Sequence, residues 1–308
     1  MRIHKHWQGL GPADRGASVA MGNFDGVHLG HRAVIDLARR PGVPLGVVTF
    51  EPHPREYFAP DAPPFRLMNA EARANRLSKL GVEQLYQLPF NAAMAGLSPE
   101  EFVSTVLVDG LGIAHVVVGA DFCFGKARKG KADDLLALGR AHGFDVTVAE
   151  LVRSDDRAIS SSAIREALAN GDPRKAAAML GHWHRIDGEV LHGEKRGREL
   201  GFPTANMSVA RLHLPKLGVY AVRVDVLTGP QTGSYTGAAS IGVRPMFGTN
   251  QPNLETYIFD FNGDLYGQHL SVALVEYIRP EMKFDGLPAL IAQMNDDCAR
   301  ARAILTSL

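Results

Sequence analysis

The sequence predicts two domains: a doubly wound α/β domain built on a parallel sheet, then an antiparallel β-barrel with a C-terminal helix. Three observations carry this expectation. As far as Leu180, short continuous apolar runs alternate with helical patterns, as in a parallel sheet covered on both faces. From His184 onward the pattern becomes short strands separated by glycine-rich turns, as in an antiparallel barrel. Near the end, apolar residues recur three and four apart, which is one buried helix face. A length of 308 residues suits two domains at roughly 100–200 residues each.

In order, Ser18–Met21 reads as a strand, followed by a loop and a helix near His31–Arg40. Pro44–Phe50 is a continuous apolar strand, and Asn69–Leu80 a helix. Gln84–Leu88, His115–Gly119 and Asp145–Glu150 are further strands. Ser98 starts a helix well: it caps, Pro99 suits the first turn and Glu101 completes a capping box. Short helices are expected over Ala163–Asn170 and Pro173–Leu180. The boundary falls near Gly181–His184, giving domains 1–183 and 184–308. Barrel strands are expected at Arg185–Leu191, Val219–Leu227, Tyr235–Ile241, Leu254–Phe261 and Leu270–Ile278. The final helix should bury Leu287, Leu290, Ile291, Met294, Cys298, Ala301, Ile304 and Leu305.

Composition narrows the function classes. Lys+Arg and Asp+Glu number 33 each, so no global field points to nucleic acid or an anionic membrane. No apolar run approaches the ~18 residues of a membrane span. The opening segment lacks the apolar core of a signal peptide. With only two cysteines, Cys123 and Cys298, neither a disulfide nor a zinc site is expected. The expected location is the cytoplasm.

Two segments suggest chemistry. Gly22-Asn23-Phe24-Asp25-Gly26-Val27-His28-Leu29-Gly30-His31 follows the first strand and opens the first helix. Ligands of a parallel sheet bind at the carboxyl ends of its strands, and a helix start favours phosphate. His28 and His31 share one face of a first turn. Two imidazoles there can donate to phosphate oxygens as charge builds in a transition state; the alternative is a pair of surface histidines. In the other half, the glycine-rich basic stretch Gly193, Lys195, Arg196, Gly197 and Arg198 can cradle phosphates, or be an ordinary charged turn. Thr204 and Asn206 beyond it offer oxygen ligands of the kind that suit Mg²⁺. Glu255 shares a strand face with Tyr257, Phe259 and Phe261, where a carboxylate needs a partner or a task unless that face is open to solvent.

The His-x-Gly-His run resembles the signature of the nucleotidylyltransferase superfamily. More narrowly, the chain resembles the prokaryotic bifunctional riboflavin kinase/FMN adenylyltransferase (FAD synthetase) family. Thr49-Phe50-Glu51-Pro52-His53-Pro54, Val117–Gly125 and Ile159-Ser160-Ser161-Ser162-Ala163-Ile164-Arg165 match its motifs in order. So do Gly188–Asn206, Asp264-Leu265-Tyr266-Gly267 and Tyr277-Ile278-Arg279-Pro280. The resemblance implies phosphorylation of riboflavin to FMN by ATP, then adenylyl transfer to FMN giving FAD, with Mg²⁺. It implies nucleotide contacts from Gly22, Asn23, Phe24, Asp25, Gly26, Ser160, Ser161, Ser162 and Arg165. It implies flavin contacts from His53, Asp121, Phe122 and Arg279, and makes Glu255 the general base of the kinase step. Ser160–Ser162 also read simply as the cap of a surface helix. Five positions depart from the family's pattern: Ser162 where Thr is usual, which keeps the hydroxyl, Ala163 and Cys123 where basic residues are usual, Met246 where Thr is, and Tyr257 where His is.

Overall fold

The computed structural model describes the chain apart from residues 151–152, 155–156, 193–199 and 247–248, and apart from the side chains at 153–154, 157–158, 244–246 and 249–251. Its contacts form two compact units, Met1–Pro63 with Arg73–Ile159, and Pro64–Ala72 with Ser160–Leu308.

The first unit is built on six parallel strands: β1 (Arg2–His4), β2 (Ser18–Met21), β3 (Leu45–Glu51), β4 (Gln84–Pro89), β5 (His115–Gly119) and β6 (Asp145–Ala149). Their order is β1-β4-β3-β2-β5-β6, with every neighbouring pair parallel. Five of the six lie where the apolar runs place them. The edge strand β1 has no apolar run to announce it and exists because Arg2–His4 pairs with Gln84–Tyr86. Strand β2 is buried on both faces. One face, with Val19 and Met21, packs with Val116, Val118, Phe102, Val106 and Leu135. Helix α1 (Leu29–Leu37) follows β2, α2 spans Ala70–Lys79, and α3 (Ala132–His142) precedes β6. The Ser98 capping box forms as expected: Ser98 Oγ accepts from the Glu101 N–H at 3.1 Å, and Glu101 Oε2 from the Ser98 N–H at 2.8 Å. Beyond it, Phe102–Gly110 winds more widely than an α-helix. Because β2 has β3 on one side and β5 on the other, the order reverses at β2. The crevice at its carboxyl end is where such sheets bind ligands.

The second unit holds six antiparallel strands: β7 (His184–Glu189), β8 (Thr204–Ser208), β9 (Gly218–Val226), β10 (Gly233–Met246), β11 (Thr249–Ile258) and β12 (His269–Arg279). The order is β7-β12-β9-β10-β11-β8. The sheet curls so that its two edges meet, with the Leu191 N–H bonded to the Asn206 carbonyl at 2.8 Å. Strand β8 carries little apolar signal of its own, and its pairing with β11 makes it a strand. Inward residues such as Ile186, Val222, Ile241, Leu254 and Val272 fill the interior. Helices α4 (Ser161–Ala169) and α5 (Pro173–Leu180) belong to this unit, as does the segment 64–72. That segment is tied down by His213 N–H to Arg66 O at 2.8 Å and Asn69 Nδ2 to Asp187 O at 2.7 Å. The compact unit therefore begins earlier than residue 184.

The C-terminal helix α6 (Leu287–Thr306) corrects one expectation. Only the later part of the apolar face is core: Ala301 and Leu305 are buried, with Cys298 and Ile304 packed beside them. Leu287 is 59% exposed. Between the two halves, Asp297 is buried and grips the Arg279 guanidinium with bonds of 2.6–3.0 Å. A carboxylate in that position fixes where the helix sits on β12, and the apolar stripe alone does not. Removing one partner of a buried pair strands the other charge, so Asp297→Ala should cost about 3–5 kcal/mol in chemical denaturation. Asp260→Ala, which breaks an exposed pair with Arg302, should leave the same transition in place.

Candidate functional sites

The segment Gly22–His28 leaves β2 in a conformation few sequences allow. Phe24, Gly26 and Val27 all have positive φ, at 51°, 90° and 43°. Phe24 and Val27 are buried, and such backbone persists where the surroundings enforce it, often at ligand sites. The loop delivers His28 as the N-cap of α1, where its Nδ1 accepts from the His31 N–H at 3.2 Å. Histidine is not among the preferred caps. Because Nδ1 accepts, the neutral ring carries its proton on Nε2 and keeps that N–H to donate. Gly30 permits the arrangement, since a Cβ there would sit 3.1 Å from the His28 ring.

His28 and His31 stack with centroids 3.6 Å apart and planes 14° apart. Phe24 packs on His31 at 5.2 Å. Burial lowers the His28 pKa to about 4. Burial first, and the neighbouring His28 second, hold His31 well below the usual imidazole range. The His31 Nδ1 is buried without a hydrogen-bond partner among the described residues. Buried polar atoms are nearly always satisfied in folded proteins, so this nitrogen stands out among the described residues.

The loop after β3 also ends in a histidine cap. His53 Nδ1 accepts from the Arg55 N–H at 3.0 Å, and Glu56 completes a capping box on the short helix Pro54–Phe58. Beside it lies an aromatic group that sequence reasoning missed: Tyr57, Phe58 and Phe90, with ring centroids 5.1–5.8 Å apart. Phe58 is 68% exposed. Its only advance signal is its place, five residues after His53. Phe122 stacks on Phe124 at 5.9 Å, and Asp121 is exposed in the turn before it.

In the second unit, Ser160 caps α4, its Oγ accepting from the Ala163 N–H at 3.3 Å. Ser161 is half-buried and Ser162 exposed. Arg165 donates from Nε to the Phe65 carbonyl at 2.6 Å and lies over the Phe65 ring.

On the barrel, the β8–β11 register sets Asn206 opposite Glu255 and Thr204 opposite Tyr257. These residues, separated in the chain by the whole of β9 and β10, thus form one row. Asn253, which sequence reasoning missed, joins them: its Nδ2 reaches Glu255 Oε1 at 3.2 Å and Asn206 Oδ1 at 3.4 Å. Tyr257 shares the Glu255 face as expected, in edge contact with Phe202 at 5.3 Å and Phe259 at 5.8 Å. Arg279 is spoken for: Nε and a terminal nitrogen bind Asp297, and the other terminal nitrogen donates to Pro280 O at 2.9 Å. Gly193, Lys195, Arg196, Gly197 and Arg198, and the side chain of Met246, lie outside the described residues.

The described residues thus gather polar chemistry at two places, a helix start at the crevice of a parallel sheet and a carboxylate–amide–hydroxyl row on a barrel. The family profile described as FAD synthetase matches residues 11–163, and that of riboflavin kinase residues 180–305. A bifunctional riboflavin kinase/FMN adenylyltransferase of Pseudomonas fluorescens is 43% identical over 99% of this chain and 98% of its own. One from Bacillus subtilis is 39% identical over 94% and 93%. A Streptococcus pneumoniae crystal structure, titled as a macrolide-efflux protein, is 32% identical with a TM-score of 0.79 and covers 96% of both chains. Among the described residues of the present chain, no helix is long and apolar enough to cross a membrane. The chain belongs to the bifunctional riboflavin kinase/FMN adenylyltransferase family. It is an enzyme of flavin-cofactor synthesis, on the route from riboflavin to FMN to FAD.

The lowered His28 pKa has a definite sign. Above pH ~6.5 the ring is neutral in folded and unfolded chains alike. As pH falls from there toward about 4, the unfolded chain takes a proton that the folded ring refuses, so the stability of burying it is lost across that window. An NMR titration should find the His28 imidazole neutral down to pH ~5, protonated on Nε2, with its midpoint near 4.

Proposed function

We propose that residues 1–183 carry out adenylyl transfer at the start of α1, and that residues 184–308 carry out riboflavin phosphorylation along β8 and β11. The observation that best supports the first assignment is the stacked, neutral His28–His31 pair with an unpartnered buried nitrogen. ATP phosphates accept from the α1 amides and from the Nε2–H of His28 as an FMN phosphate oxygen attacks the α-phosphorus and pyrophosphate leaves. Gly22, Asn23, Asp25 and Gly26 line the nucleotide side. Neutral rings suit this task, because they donate without first acquiring a proton. His53, Asp121 and Phe122, with Phe58 added from the structure, receive the flavin. An exposed ring beside other aromatics offers a planar ligand a stacking surface.

In the kinase step, Glu255 takes the proton of the riboflavin 5′-hydroxyl as that oxygen attacks the γ-phosphorus of ATP. Its hydrogen bond from Asn253 holds the carboxylate toward the row it shares with Asn206. Thr204 and Asn206 present a hydroxyl and an amide oxygen on adjoining positions of that row, a hard donor set that suits Mg²⁺. When bound there, the metal supplies charge neutralisation on the phosphates. Arg279 acts through Asp297 to hold α6. The cytoplasm, where ATP is made available, is the location we assign.

Two variants test the division of labour in one assay of riboflavin, FMN and FAD. His28→Ala should lower FAD formation from FMN by roughly 10²–10³ and spare phosphorylation of riboflavin. Glu255→Gln should lower FMN formation by roughly 10²–10⁴ and spare conversion of supplied FMN. Loss of both activities in either variant would refute the assignment of one site to each step.

A further inference from the structure

Arg73, on α2, heads the large side chains that are fully buried. A guanidinium in the interior needs a partner and a reason. One terminal nitrogen binds Glu51 Oε2 at 2.9 Å, and the other lies 3.5 Å from the Asn23 carbonyl. Thr49, also fully buried, donates to the same carbonyl at 3.2 Å. All four residues belong to the first compact unit. Glu51 closes β3 and begins the segment that carries His53 and Phe58. Asn23 lies in the loop that ends at His28. One planar fork therefore touches the roots of both loops, and only arginine has donors at fixed angles to do so.

The consequence for the first loop follows from peptide geometry. In a trans peptide the C=O and the next N–H point opposite ways. Drawing the Asn23 carbonyl inward, onto Arg73 and Thr49, turns the Phe24 N–H away from them, toward the ligand side of the loop. It also helps to hold the positive φ of Phe24, the residue that packs on His31. The sequence gives no sign of this, because an arginine in α2 reads as an ordinary solvent-facing helix residue.

We infer that Arg73 is the positioning residue that sets the nucleotide loop at 22–28 against the flavin loop at 51–58 in adenylyl transfer. The inference rests on the reading of these two loops given above. Each loop keeps its own ligand contacts when Arg73 is lost, so each substrate still binds. What is lost is the alignment of the FMN phosphate with the α-phosphorus, and a misplacement of about 1 Å costs roughly 100-fold.

The test uses full-length Arg73→Met, Arg73→Lys and His28→Ala. In Arg73→Met, kcat for FMN conversion should fall roughly 100-fold with KM for FMN and ATP within about threefold. Arg73→Lys, which reaches one partner at a time, should recover part of the loss. Riboflavin phosphorylation should be unchanged in both. The His28 imidazole should still stay neutral down to pH ~5 in Arg73→Met, which shows the loop folded. A near-normal kcat in Arg73→Met, or a raised KM with kcat intact, would overturn the inference. So would a loss accompanied by His28 titrating near 6.5, since Arg73 would then be a scaffold residue only. If His28→Ala itself makes FAD normally, the reading of the loop fails; if only Arg73→Met does, the positioning role alone fails.

Discussion

The contact between the His28 ring and the backbone of α1 fixes the geometry of the proposed adenylyl-transfer site. A serine cap would satisfy the same N–H, but it would bring no second donor. An imidazole accepts at Nδ1 and thereby fixes its proton at Nε2. Stacking on His31 and burial then keep both rings uncharged. The strained loop from Gly22 to Val27 exists to put the ring there, and the sheet order places that loop at the one crevice where the strands reverse.

The barrel solves a different problem with the same means, a backbone that sets side chains in register. Asn206 and Glu255 face one another because β8 and β11 pair antiparallel. Asn253 then ties their polar ends into one group. A slip of one residue would turn Glu255 toward the interior with Leu254 and Thr256, so the pairing that closes the barrel also holds the carboxylate on the face it shares with Asn206.

Each unit also uses an arginine for placement, fully buried at Arg73 and partly buried at Arg279. Arg73 joins loop roots through Glu51 and the Asn23 carbonyl. Arg279 clamps α6 to β12 through Asp297. Both pairs impose direction as well as attraction, since a guanidinium fork binds at set angles. Apolar contacts, which lack direction, leave helix placement looser, as the exposed first turns of α6 illustrate.

The sequence by itself determined the alternation of strands and helices, the change to a barrel and the Ser98 cap, and it singled out His28, His31, Thr204, Asn206 and Glu255 as candidates. These are local signals: periodicity, caps and short motifs are written in neighbouring residues. Strands β1 and β8 were invisible, because few apolar residues mark them and their partners lie far along the chain. The apolar face of α6 was overread, because periodicity cannot tell that Asp297 would be buried in its midst. Asn253, Phe58 and Arg73 were missed for the same reason. Each takes its meaning from residues on another strand or loop, as does the hold of Arg279 on a carboxylate of α6. Only the tertiary structure decides such matters, since a side chain's partner depends on which elements pack together, and that is settled by the sum of all contacts and by no single stretch of sequence.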